Sequence, residues 1–81
     1  MTTNVQLLVM VRHLTRTGEA RRRRVAARLS LSEVADAVGV TPATVSRWER
    51  AQRLPKGANA IAYVEVLKTL DDTPRAGVSA A

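Results

Sequence analysis

Arginine carries most of the chemistry available to this chain. Thirteen of its 81 residues are Lys or Arg against seven Asp or Glu, a formal net charge of +6 with a pI near 11.4. Eleven of the thirteen are arginine, whose planar fork matches phosphate and guanine edges better than a lysine ammonium does. A GC-rich coding genome would give the same bias. A basic excess of this kind is the electrostatic signature of a molecule that sits on phosphates. The other reactive residue types form no constellation. His13 has neither a cysteine nor a second histidine near it, which argues against a metal role and for an exposed position. Ser30, Ser32 and Ser46 lack histidine and aspartate companions at useful spacing, and the acids are scattered. No catalytic site, cofactor, metal or small-molecule ligand is therefore expected.

The elements that must position these arginines are short helices. At 81 residues the chain makes one domain that buries only about 60% of its unfolded surface, and without cysteine no disulfide supplements the core. The apolar stretch Val5 to Val11, interrupted by Gln6, is far shorter than the roughly 20 residues that span a bilayer. It also lacks the features of a secretion signal, so no membrane association and a cytoplasmic location are expected. Leu7, Leu8, Val11 and Leu14 recur at three- and four-residue steps and predict an amphipathic first helix. That helix either completes the core or presents Leu7, Val11 and Leu14 to a second subunit. Thr17-Gly18 ends it, and Glu19 opens a second helix with an acid in the first turn and arginines behind, as the helix dipole favours. Ser30 and Glu33 match a capping box, and Ala58 to Leu70 predicts a last helix with Ile61, Val64, Leu67 and Leu70 facing inward.

Between those helices lies LSEVADAVGVTPATVSRWER, residues 31–50. Val34, Ala35 and Val38 give one apolar face, Gly39 sits where a left-handed cap is wanted, and Thr41-Pro42 supplies a fresh N-cap and first helical residue. Val45 and Trp48 form the next inward stripe, with Trp48 expected in the core rather than on a ligand. Two short helices joined by the three residues Gly39, Val40 and Thr41 predict a helix-turn-helix with a crossing of roughly 90 to 120°. Ala35 is then small because backbones approach there, Val40 plugs beneath the turn, and Val45 packs back onto Ala35.

LSLSEVADAVGVTPATVSRWERAQRLP resembles the Xre-type family of phage repressor and Cro DNA-binding domains, and the resemblance runs from about Glu19 to Leu70. It implies a transcriptional regulator that binds operator DNA with the second motif helix in the major groove. Carried over position by position, Thr41, Pro42, Ala43, Thr44, Ser46 and Arg47 would face bases, and these also point away from the Val45/Trp48 stripe. Arg47 is the best candidate for guanine readout. Arg50, Arg53 and Lys56 would meet the DNA backbone, and Arg22 and Arg23 are candidates for the same task, the alternative being a solvated helix face. The family often pairs an arginine in its first helix with a glutamate late in the recognition helix, which here are Arg24 and Glu49. It commonly carries glutamine at the first position of both motif helices, where this chain has Leu31 and Pro42.

The expectation is thus an all-α, five-helix, lambda-repressor-like domain over residues 1–70, with helices near 4–16, 19–28, 31–38, 42–50 and 58–70 and a disordered tail over 71–81. The motif itself would rest on Arg24, Ala35, Gly39, Val45, Trp48 and Glu49. Double-stranded operator DNA is the expected partner, with a homodimer as one arrangement the resemblance allows. The competing readings are an excisionase-like architectural factor, which would need a β-wing after the motif, and an antitoxin- or adaptor-type module that binds protein.

Overall fold

Two of the short helices are started by a side-chain cap. The computed structural model describes residues 4–71, which form α1 (Asn4–Arg16), α2 (Glu19–Ala26), α3 (Leu31–Val38), α4 (Pro42–Glu49) and α5 (Gly57–Asp71). Among the described residues the fold is all-helical. The Ser30 hydroxyl accepts the Glu33 amide at 3.0 Å while the Glu33 carboxylate accepts the Ser30 amide at 2.9 Å, so two otherwise orphaned donors are satisfied at the start of α3. Gly39 closes α3 in the left-handed region (φ 91), where glycine carries no Cβ penalty. The amides of Gly39 and Val40 both donate to the Ala35 carbonyl, at 2.7 and 3.0 Å. Thr41 restarts the chain as N-cap, accepting the Thr44 amide at 3.2 Å ahead of Pro42.

The core gathers Leu7, Val11 and Leu14 of α1, Ala20 of α2, Val34 and Ala35 of α3, Val45 and Trp48 of α4, and Tyr63, Val64 and Leu67 of α5. Helix α3 packs most extensively on α4, and α1 lies against α5, α2 and α4. The apolar stripe of α1 is therefore buried within the chain's own core, leaving Val5 and Val9 exposed. Thr15 joins that stripe by donating its hydroxyl to the Val11 carbonyl at 2.9 Å, which satisfies a buried polar group locally. His13 is exposed. No helix among the described residues is long and apolar enough to cross a membrane.

Several boundaries and one face differ from the sequence-based expectation, the smallest being α4, which closes at Glu49 with Arg50 as its C-cap rather than at Arg50. Helix α2 ends at Ala26 rather than Arg28, because Arg28 takes a left-handed conformation (φ 59) and the Leu29 amide turns back to the Arg24 carbonyl at 3.1 Å. Helix α5 starts at Gly57 and runs through Asp71, and of the expected tail only residues 72–81 lie outside the described residues. The inward face of α5 is Ala60, Tyr63, Val64 and Leu67, whereas Ile61 is 39% exposed and Leu70 half-buried. The expected 61/64/67/70 stripe is rotated by about one residue, because Tyr63 packs its ring on Trp48 with centroids 4.8 Å apart and so sets the facing direction.

A Cβ built on Gly39 meets nothing within 4 Å, so replacing this glycine strains only the backbone. Gly39→Ala is expected to lower unfolding free energy by about 1–2 kcal/mol. Ala35→Leu, at a fully buried position, is expected to cost about 1–3 kcal/mol by overpacking. Urea titration followed by Trp48 fluorescence reads both, and an unchanged midpoint for Ala35→Leu would contradict the close α3/α4 approach.

Candidate nucleic-acid interface

Helix α4 has a buried side and an open side. Val45, Trp48 and Glu49 are buried, while Thr41, Pro42, Ala43, Arg47 and Arg50 are exposed and Thr44 and Ser46 are half-buried. The open residues line one ridge because helical side chains three and four positions apart share a face. Its N-terminal end is held in place: besides capping Thr44, Thr41 places its Oγ1 2.9 Å from the Thr44 Oγ1. The exposed methyl of Ala43 stands beside these hydroxyls, so the ridge offers hydrogen-bonding and apolar groups together. Leu31 packs against the core from the start of α3.

At the other end the chain reverses through Ala51, which adopts a left-handed conformation (φ 58) without being glycine. The Ala51 amide donates to the Trp48 carbonyl at 3.0 Å and the Gln52 amide to the Arg47 carbonyl at 2.9 Å, satisfying carbonyls that the helix end leaves open. This turn carries Gln52, Arg53, Leu54 and Lys56, all exposed, past the end of α4. Arg47, Arg50, Arg53 and Lys56 are thus all exposed, at the end of α4 and in the turn that follows it. Proline and glycine announce this loop in the sequence, but alanine gives no signal of a left-handed turn, and the exposed Gln52 within it goes unremarked for the same reason.

The orientation of the ridge is fixed from behind. Arg24 on α2 donates through Nε to Oε2 of Glu49 at 2.5 Å and through Nη2 to Oε1 at 3.0 Å, and through Nη1 to the Leu29 carbonyl at 2.9 Å. The two side chains are 13% and 5% exposed, so this is a buried bidentate pair that ties α2 to the inner side of α4. Hydrogen bonding to Glu49 raises the Arg24 pKa against the opposing effect of burial. Tyr63 lies in the same neighbourhood; burial raises its phenol pKa, with the Glu49 carboxylate adding and Arg24 opposing. Its hydroxyl has no hydrogen-bond partner among the described residues.

The structure does not bring Arg22 and Arg23 to the ridge. Arg23 is turned inward, with its side chain 17% exposed, Nε on Glu19 at 3.1 Å and Nη1 on the Leu67 carbonyl of α5 at 3.2 Å. Arg22 is exposed and pairs with Glu19. By helical geometry Arg22 lies roughly 200° around α2 from Arg24, so it points away from α4.

The sequence model of the helix-turn-helix family matches residues 21–72, which span α2 through α5. The chain belongs to the helix-turn-helix family. Members of this family are DNA-binding regulatory domains, and the matched span contains the capped α3, the Gly39 turn, the ridge of α4 and the Arg24–Glu49 pair. Helix α1 lies outside it. No curated protein and no solved structure matches the chain.

Removing one partner of a buried ion pair leaves an uncompensated charge, and Glu49→Ala is expected to cost about 3–5 kcal/mol in urea unfolding. Replacing both partners by apolar residues, as in Arg24→Met with Glu49→Leu, should recover most of that loss. Equal destabilisation by the single and double replacements would show that the pair is not the source of the cost.

Proposed function

We propose that this helix-turn-helix protein is a sequence-specific transcriptional regulator that binds double-stranded operator DNA in the Cro and repressor manner, with α4 in the major groove. The observation that carries this reading is the division of α4: Val45, Trp48 and Glu49 are buried, and an exposed ridge bears Arg47. Arg47 would read guanine through two parallel hydrogen bonds. Thr41, Pro42, Ala43, Thr44 and Ser46 would sit against neighbouring bases, the methyl groups on thymine and the hydroxyls on base edges or phosphate. Arg50, Arg53 and Lys56 would contact the backbone and set the register. Phosphate neutralisation then supplies most of the affinity and makes it fall with salt. Regulation follows by occlusion of promoter DNA, in the cytoplasm on the nucleoid.

An excisionase-like role is less well supported, because among the described residues the loop after Glu49 leads into α5 and not into a β-wing. A homodimer would place two α4 ridges on half-sites about one DNA turn apart. Selection of bound fragments from a random pool of duplexes identifies the site, and a palindrome among the winners marks the dimer. On that selected site Arg47→Ala should weaken binding by about 1–3 kcal/mol and relax preference at one base position. A loss of equal size on every sequence would place Arg47 on phosphate and contradict the readout role.

A further inference from the structure

The two threonines at the start of α4 form one hydrogen-bonded unit. The Thr41 and Thr44 hydroxyl oxygens lie 2.9 Å apart, and Thr41 Oγ1 also accepts the Thr44 amide at 3.2 Å. Among the described residues no other hydrogen bond engages either hydroxyl. A hydroxyl has one hydrogen and two lone pairs, so the pair holds two hydrogens and four lone pairs. One hydrogen and one lone pair join the two oxygens, and the Thr44 amide takes a further lone pair on Thr41. One hydrogen and two lone pairs are left for a ligand.

Exposure decides which atom offers that hydrogen. Thr41 is exposed and Thr44 half-buried. When Thr44 donates to Thr41, both lone pairs of Thr41 are filled and its own hydrogen is free. An acceptor that meets Thr41 then leaves every hydrogen of the pair engaged. A ligand that donates needs instead a lone pair on Thr41, whose hydrogen must turn to Thr44. The Thr44 hydrogen is then without an acceptor in a half-buried position, which costs free energy. The unit is therefore biased toward acceptors. Its surroundings are apolar: exposed Pro42 and Ala43 stand between the two threonines in the chain, and each threonine carries a methyl group of its own.

Only one base edge in the major groove matches both features. Guanine and adenine offer acceptors without a methyl group, cytosine offers a donor, and thymine carries the O4 acceptor beside its C5-methyl. We propose that Thr41 and Thr44 act as one specificity-determining unit that selects thymine, donating the free hydrogen to O4 and seating the C5-methyl against the apolar groups around it. The inference rests on the reading of α4 as the groove-facing helix and adds a base identity to it. Thr41, Thr44 and Arg47 follow at three-residue steps, which share a helix face. Three residues rise about 4.5 Å, against about 3.4 Å between successive bases of a strand, so this thymine neighbours the base that Arg47 reads. A phosphate would take the same hydrogen but gains nothing from the methyl groups and carries no base preference.

Base analogues in the selected duplex test this with the full chain. Each thymine is replaced in turn by deoxyuridine, which removes the methyl and keeps O4. Each thymine–adenine pair is also replaced by 5-methylcytosine–guanine, which keeps the methyl and turns the acceptor into an amino donor. At one thymine beside the Arg47 position, fluorescence anisotropy should show binding weakened about fourfold by deoxyuridine and about three- to tenfold by 5-methylcytosine. Thr44→Val keeps the Thr41 cap, which needs only the backbone amide, but leaves the Thr41 hydroxyl as ready to accept as to donate. It should cut the 5-methylcytosine effect at that position to less than about twofold and spare the deoxyuridine effect. Thr44→Ser, which retains the hydroxyl, should keep the 5-methylcytosine effect, and Trp48 fluorescence reports the folding of both variants. The proposal is overturned if no thymine responds to both analogues, or if Thr44→Val leaves the 5-methylcytosine effect unchanged. A loss with Thr44→Val that is equal on every duplex overturns it too, since that is the mark of a phosphate contact. The α4 reading survives any of these as long as Arg47→Ala relaxes one base position. If Arg47→Ala weakens all sequences equally, the α4 reading falls and the thymine assignment falls with it.

Discussion

The architecture depends on how closely α3 can approach α4. Ala35 is fully buried where the two helices meet, its carbonyl accepts two amides of the turn, and Val45 is sealed against the same core. A larger side chain at this fully buried position overpacks the core that α3 and α4 share, which is expected to shift the helices that line it. Gly39 contributes differently. No atom crowds the position; what it supplies is a backbone conformation that lets α3 stop after eight residues and α4 start three residues later. Helices this short are marginal alone, so packing and capping together hold them.

The buried Arg24–Glu49 pair sets the orientation of α4. Desolvating two charges costs several kcal/mol, which at Arg24 the hydrogen bonding to Glu49 outweighs, and the bidentate geometry fixes the rotation of α4 relative to α2. With the adjacent Trp48 against Tyr63, the inner side of α4 is held by a charged contact and an aromatic one from two different helices. The outer side is left to solvent. That asymmetry makes Arg47, and not Glu49, the residue available to a partner.

Much of this was legible in the sequence, because the signals were local. The capping box, the glycine between two apolar stripes, and proline after threonine each specify a backbone conformation with few alternatives. The apolar stripe of α1 specified an amphipathic helix but not its partner, and burial of Leu7, Val11 and Leu14 in the chain's own core settles that choice. Where the reading missed, long-range contacts decided. The facing direction of α5 was set by Tyr63 meeting Trp48, which pattern counting over Ile61, Val64, Leu67 and Leu70 does not contain. The fate of Arg23 was set by a carbonyl 44 residues away, and four consecutive arginines look alike until α4 and α5 are placed around them. Left-handed Arg28 and Ala51 carried no compositional warning at all.

A ridge fixed from behind by an ion pair and an aromatic stack is a suitable reading head only if bases lie against it. Intermolecular NOEs in the complex between the full chain and one equivalent of its selected duplex measure that contact directly. Contacts from the methyl groups of Ala43 and Thr44 to thymine methyl or cytosine protons in the major groove are the expected result. Methyl groups on α4 that see no DNA proton, while α1 or α5 does, would contradict it.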